Sequence, residues 1–159
     1  MAEIDVEFED NSAEVLKELE KATENALYQM GLLGVEGCVE KASEIDDVTG
    51  RPTVDTGRYR AAFGFITPTK GKMSGTPTTN SKITDDISSQ RADKDTVVIA
   101  NNVEYAPYLE VGSGTRKGGH HARYIMKRGI ESKLVKMKLV AQECFEGKDV
   151  DMSVDFGGV

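Results

Sequence analysis

His120 and His121 are the only histidines in a chain of 159 residues, so general acid–base catalysis near neutral pH has few candidates. Sequence neighbours do not share a helix face, and no carboxylate or thiol stands at ligand spacing from the pair, which therefore predicts no metal site. Cys38 and Cys144 are the only cysteines, and neither belongs to a Cys-x-x-Cys or Cys/His cluster. Both fall on helical stretches and read as reduced, partly buried thiols. A disulfide requires that the two helices bring the Cβ atoms into bonding geometry. The loop Gly112-Ser113-Gly114-Thr115-Arg116-Lys117-Gly118-Gly119 lacks the Gly-x-x-x-x-Gly-Lys-Ser/Thr order that cradles phosphates, and it reads as a flexible loop. No serine or cysteine has a nucleophile-plus-base pattern. These residues predict no cofactor and no catalytic group.

Asp55-Thr56-Gly57 is the triplet that carries the catalytic carboxylate of aspartic proteases. Those enzymes need two carboxylates about 3 Å apart sharing a proton, so a short chain would have to dimerise. The flanks argue against it. The triplet follows Arg51-Pro52-Thr53-Val54 rather than an apolar strand, and it precedes Arg58-Tyr59-Arg60. Three nearby cations favour the ionised carboxyl where a shared-proton pair needs one held neutral. The structural reading is better: Asp55 or Thr56 caps a short helix or turn, and Gly57 permits a close backbone. The protease dimer is the enzyme alternative; the main reading is that the chain is not an enzyme.

The elements that would position these residues follow from periodicity. Residues 1–11 alternate Ile4, Val6 and Phe8 with acidic residues, as an edge strand or a terminal arm would. Asn11 with Glu14 resembles a capping box. From there Val15, Leu16, Leu19, Ala26, Leu27, Met30, Cys38, Ala42 and Ile45 recur at three- and four-residue steps, predicting one helix over 12–45. Gly31, Gly34 and Gly37 lie on nearly one face of it, which points to close approach of another backbone, a kink or a break. A turn at 47–52 leads to a predicted strand over 61–67. Residues 69–95 are polar and read as a long mobile loop or β-excursion. A buried strand is expected over 95–100, a helical turn over 105–110 with Pro107 near its start, and a second long helix over 122–146. The apolar stripe of that helix is Met126, Ile130, Leu134, Met137, Ala141 and Phe145. Residues 147–159 read as a flexible tail. The fold class is α+β: two long helices packed on a small, mostly antiparallel β-sheet with a long mobile β-loop, in a single domain over 12–146.

Charge is unevenly spread. Residues 1–50 carry 3 basic and 14 acidic side chains, net −11, whereas residues 101–147 carry 8 basic and 5 acidic ones, net +3. Such asymmetry can guide subunits head to tail. The overall −7 argues against a module built to grip nucleic acid. The DNA-binding alternative would use Arg116, Lys117, Arg123, Lys127 and Arg128. No apolar run approaches the roughly 20 residues that span a bilayer. The acidic first ten residues lack the basic and apolar regions of a secretory signal, so a cytoplasmic protein is expected.

Two segments in order carry a resemblance. The first is Val54-Asp55-Thr56-Gly57-Arg58-Tyr59-Arg60. The second is Val97-Val98-Ile99-Ala100-Asn101-Asn102-Val103-Glu104-Tyr105-Ala106-Pro107-Tyr108-Leu109-Glu110-Val111-Gly112-Ser113-Gly114-Thr115. Together, between a long first helix and a long last one, they resemble the HK97 gp10-like family of phage neck and tail-completion proteins. Tyr124 stands near the family's aromatic residue at the entry to the last helix, and the family's proline there has no counterpart. The resemblance implies a virion protein at the head–tail junction of a tailed bacteriophage, assembled in the host bacterial cytoplasm. It implies a homo-oligomeric ring, a hexamer, whose partners are neighbouring neck and tail-tube proteins. Double-stranded DNA would pass through the lumen without specific binding, past acidic residues such as those of the first helix. The interface candidates are Arg58, Arg60, Tyr105, Tyr108, Leu109 and Glu110, with Arg58 or Arg60 pairing with Glu110 of a neighbour. Glu110→Arg is then expected to spare the monomer and abolish assembly.

Overall fold

A run of 32 residues with apolar groups at three- and four-residue steps forms helix α1, Ser12–Ser43. The computed structural model describes residues 10–52, 57–73, 87–113 and 121–147. The arm at 1–9, Asp55 and Thr56, residues 74–86 of the predicted loop, residues 114–119 of the glycine loop, His120 and the tail at 148–159 lie outside the described residues.

The capping box is not formed. Asn11 has a compact rather than extended backbone, its side chain makes no capping bond, and Asp10 Oδ1 instead accepts from Ser12 N–H at 3.0 Å. The helix stops at Ser43, two residues short of the predicted end, because Glu44 turns extended and Ile45 bridges Pro52. The three glycines neither break nor kink it. They lie against Phe65 and Ile99 of the sheet and Gly129 of the last helix.

After the turn comes the short helix α2, Gly57–Ala61, and then strand β1, Phe63–Ile66. The predicted strand over 61–67 is shortened because Ala61 closes α2. Strand β2, Gly71–Met73, pairs with β1 on one side, and strand β3, Val98–Asn101, pairs on the other. Both pairings are antiparallel, with Gly64 opposite Met73 and Phe65 opposite Ile99. β1 is the middle strand and is buried throughout. β3, expected to be buried, forms an edge, and its Val98 is 42% exposed. Part of the predicted loop 69–95 is therefore strand β2 and a 3-10 turn, Ile87–Ser89, whose Ile87 side chain is buried.

Helix α3, Ala106–Val111, carries Pro107 in its first turn as expected, and Gly112 closes it with φ near 77°. Helix α4, Ile125–Phe145, runs antiparallel to α1: Gly129 lies against Gly37, and Cys144 against Asn25. A Cβ on Gly37 would lie 2.2 Å from the Gly129 carbonyl oxygen, so the two backbones touch and neither position admits a side chain. The buried seam of α4 is Ile125, Gly129, Met137, Val140 and Cys144. This corrects the predicted stripe. Met126, Ile130 and Ala141 pack at its margins, but Leu134 and Phe145 are 44% and 52% exposed. The seam was hidden because Gly129 has no side chain and because Lys133 occupies one of its turns. The Lys133 ammonium reaches Glu40 at 2.8 Å and Glu36 at 3.0 Å. The fold is α+β, with two long helices and a small antiparallel sheet; the buried side chains form a larger cluster of α1, the sheet and the short helices, and a second one between α1 and the last turns of α4.

Candidate subunit interface

The described parts of the two segments that carry the resemblance, 57–60 and 97–113, meet beside the start of α4. Tyr59, fully buried, packs edge-on against Phe63 and stacks on Tyr105 at 6.3 Å between ring centres. Its carbonyl accepts from Asn101 Nδ2 at 2.8 Å, and its hydroxyl donates to Glu110 Oε1 at 3.3 Å. The same carboxylate oxygen accepts from Met126 N–H at 2.7 Å. An anion there satisfies one of the unpaired amides of the helix start and faces the positive end of its dipole. Glu110 thus caps α4 from α3. Burial first, and then the Glu110 charge, raise the Tyr59 pKa and keep its hydroxyl a donor. Burial and Glu110 likewise push the Cys38 thiol up to about 12.

The six interface candidates divide accordingly. Tyr59, which sequence reasoning did not single out, is the centre of the cluster. Tyr105 and Leu109 pack half-buried against the core. Arg58 lies over the Tyr105 ring, 5.7 Å from its centre, and Arg60 donates to Ser43 Oγ at 3.4 Å. Glu110 holds two donors of its own subunit, so the expectation that Glu110→Arg spares the monomer is corrected: the change removes a cap from a half-buried position. Tyr108 alone of the six is exposed.

A second cluster ties the exit of α1 to the entry of α4. Asp46 Oδ1 accepts from Val48 N–H at 2.8 Å and Thr49 N–H at 3.2 Å, which folds the turn after α1. Its Oδ2 lies 2.9 Å from Arg123 Nε and 3.0 Å from His121 Nε2. Burial works against ionisation of Asp46, but the two backbone donors and the electrostatic attraction of His121 and Arg123 outweigh it and hold its pKa below the ordinary value. Beyond it the chain zips onto α3, with Arg123 N–H donating to Leu109 O and Tyr124 N–H to Glu110 O. Tyr124 then takes a left-handed backbone, φ 48°, to start α4. Sequence spacing gave no sign of this cluster; the only local signal was the Asp46-Asp47-Val48-Thr49-Gly50 turn.

The exposed side is apolar in two places. Val15, Leu16 and Leu19, on the first turns of α1, are 59%, 60% and 51% exposed. They continue the core-facing stripe of α1 toward and past the end of α4, where Val15 and Leu19 line an open groove with Cys144, Phe145 and Gly147 and stay more than half exposed. On the outer side of α4, Val135 and Leu139 stand one turn apart and exposed.

No known protein family, curated protein or solved structure matches this chain. Cys38 and Cys144 are free thiols at opposite ends of the α1–α4 contact, separated by the 15 residues of α4 from Gly129 to Cys144, roughly 22 Å. Among the described residues no group of three or more His, Cys, Asp or Glu side chains could hold a metal, and no helix is long and apolar enough to cross a membrane. Of the basic residues named for the DNA-binding alternative, Arg116 and Lys117 lie outside the described residues. Arg123 pairs with Asp46, Arg128 with Glu44 at 2.7 Å, and Lys127 lies over the Tyr124 ring.

Proposed function

We propose that this chain is a structural virion protein of a tailed bacteriophage, a subunit of a homo-oligomeric ring that joins head to tail or completes the tail end. Single exposed apolar side chains are ordinary, but rows at helical spacing on both long helices belong to a surface that another protein covers. Those rows, Val15, Leu16 and Leu19 on α1 and Val135 and Leu139 on α4, are the observation that carries assembly. The phage assignment comes from the resemblance of residues 54–60 and 97–115. It is supported by their packing into one unit through Tyr59, Asn101 and Glu110. In this role the chain needs no cofactor and turns over no substrate. Its partners are copies of itself and the neck and tail-tube proteins on either side, with DNA passing through the lumen. Negative-stain electron microscopy of the purified full-length chain tests the reading. Closed rings of one diameter are expected, six-fold in projection. A monomer at every concentration overturns it.

A further inference from the structure

The first turns of α1 overhang the rest of the subunit. Among the described residues none before Ala26 is buried, and α4 ends opposite Asn25. The overhang is apolar on one face, through Val15, Leu16 and Leu19, and Glu14, Glu18 and Glu20 flank that face. Residues 10–24 carry five acidic and two basic side chains, net −3. The outer face of α4 is the converse. Val135 and Leu139 form its apolar row, Lys136 and Lys138 flank it, and Lys127 and Arg128 lie further toward the helix start. The exposed residues of 127–139 carry four cations and Glu131, net +3, of which Arg128 is paired with Glu44 within the subunit, leaving Lys127, Lys136 and Lys138 against Glu131, net +2. Lys133 is not among them, because it faces α1 and is paired there. The two surfaces are also similar in length: residues 12–22 rise about 15 Å along α1, and residues 127–139 about 18 Å along α4.

We infer that copies of this chain dock head to tail, the overhanging turns of α1 in one subunit lying along the outer face of α4 in the next. The two rows supply apolar contact, and the opposite charges select the pairing and its direction. Acidic overhangs repel one another, as do basic faces, so a two-fold pairing of like surfaces is disfavoured. Each docked pair leaves one overhang and one face free, so the contact propagates until it closes on itself. Only that closure rests on the ring reading; the contact itself does not. In this arrangement the acidic turns of α1 face a neighbouring subunit rather than a lumen.

Charge-swapped variants of the full chain test the contact, with native mass spectrometry and sedimentation as readouts. Variant one is Glu14→Lys, Glu18→Lys and Glu20→Lys. Variant two is Lys127→Glu, Lys136→Glu and Lys138→Glu. All six positions are exposed, and circular dichroism checks that the monomers stay folded. Each variant alone is expected to lose assembly affinity at least about tenfold, because like charges then face each other. An equimolar mixture of the two is expected to assemble again, since the basic overhang of the first fits the acidic face of the second and the reverse pairing stays native. Wild-type assembly should also weaken at high salt. If the wild type assembles and either variant assembles equally well alone, or the mixture fails to recover, the head-to-tail contact is overturned while the ring reading stands. A wild type that is monomeric throughout overturns both.

Discussion

Replacing Gly37 with alanine places a methyl carbon 2.2 Å from the Gly129 carbonyl oxygen and 2.9 Å from its carbon. The first contact is about 1 Å too close, and the obstacle is backbone on a packed helix, so α1 and α4 must separate by about that much. The residues between them, Ala26, Leu33, Met137, Val140 and Cys144, are all buried in one cluster. A gap of that size forfeits a quarter to a half of each contact, and overpacking of this kind costs about 1–3 kcal/mol. Alanine returns about 1 kcal/mol of helix propensity. Of the two effects the clash wins, for a net loss of up to about 2 kcal/mol and a fall in Tm of up to roughly 4–8 °C. Gly34→Ala is the control. Its Cβ would meet Ile99 Cδ1 at 2.7 Å, Ile99 Cγ1 at 3.0 Å and Met137 Cε at 3.3 Å, side-chain atoms that give more readily than a backbone carbonyl. That variant should stay within about 1 kcal/mol of the wild type. Urea and thermal melts followed by circular dichroism measure both. A Gly37→Ala protein as stable as the wild type, or less affected than Gly34→Ala, refutes the claim that backbone contact sets the helix separation.

Glu110→Ala leaves the Tyr59 hydroxyl and the Met126 amide without their acceptor and should cost about 1–3 kcal/mol in a urea melt, whereas Glu110→Gln, which keeps an acceptor, should cost less. Asp46 has a folded pKa below its ordinary 3.8, so its stabilisation is complete above that value and is lost as pH falls through the lower folded value. Asp46→Asn should therefore be less stable than the wild type at neutral pH, and the difference should shrink in melts taken at successively lower pH below the ordinary 3.8. Cys38, fully buried with its thiol pushed up to about 12, should resist a thiol-specific reagent in the native protein and react once the chain is unfolded in urea.

How much was legible in the sequence varies with the range of the interaction. The long helices declared themselves because 32 and 21 residues repeat a pattern many times. The glycines of α1 signalled a close backbone, but not which one, since Gly129 contributes nothing to an apolar count. The same blindness rotated the predicted stripe of α4 onto Leu134 and Phe145, with Lys133 standing where an apolar residue was sought. Strand β2, only Gly71-Lys72-Met73, has too few residues to show alternation, and pairing with β1 makes it a strand. Tyr105, Tyr108, Leu109 and Glu110 stand together in sequence as interface candidates, but the direction in which Glu110 points depends on where α4 begins. Asp46 with His121 and Arg123 joins residues about 75 apart in sequence, and no local spacing encodes that. Exposure of Val15, Leu16 and Leu19 was equally hidden: their periodicity is that of a core stripe, and only the end of α4 opposite Asn25 leaves them bare.

The central claim is that this chain is a built part of a phage particle at the junction of head and tail. Immunogold electron microscopy tests it most directly, on particles of a phage whose genome encodes the chain, with an antibody raised against residues 121–147. The account predicts gold confined to the neck or to the tail end that meets it. Particles that carry no label, or label scattered over the capsid, contradict it.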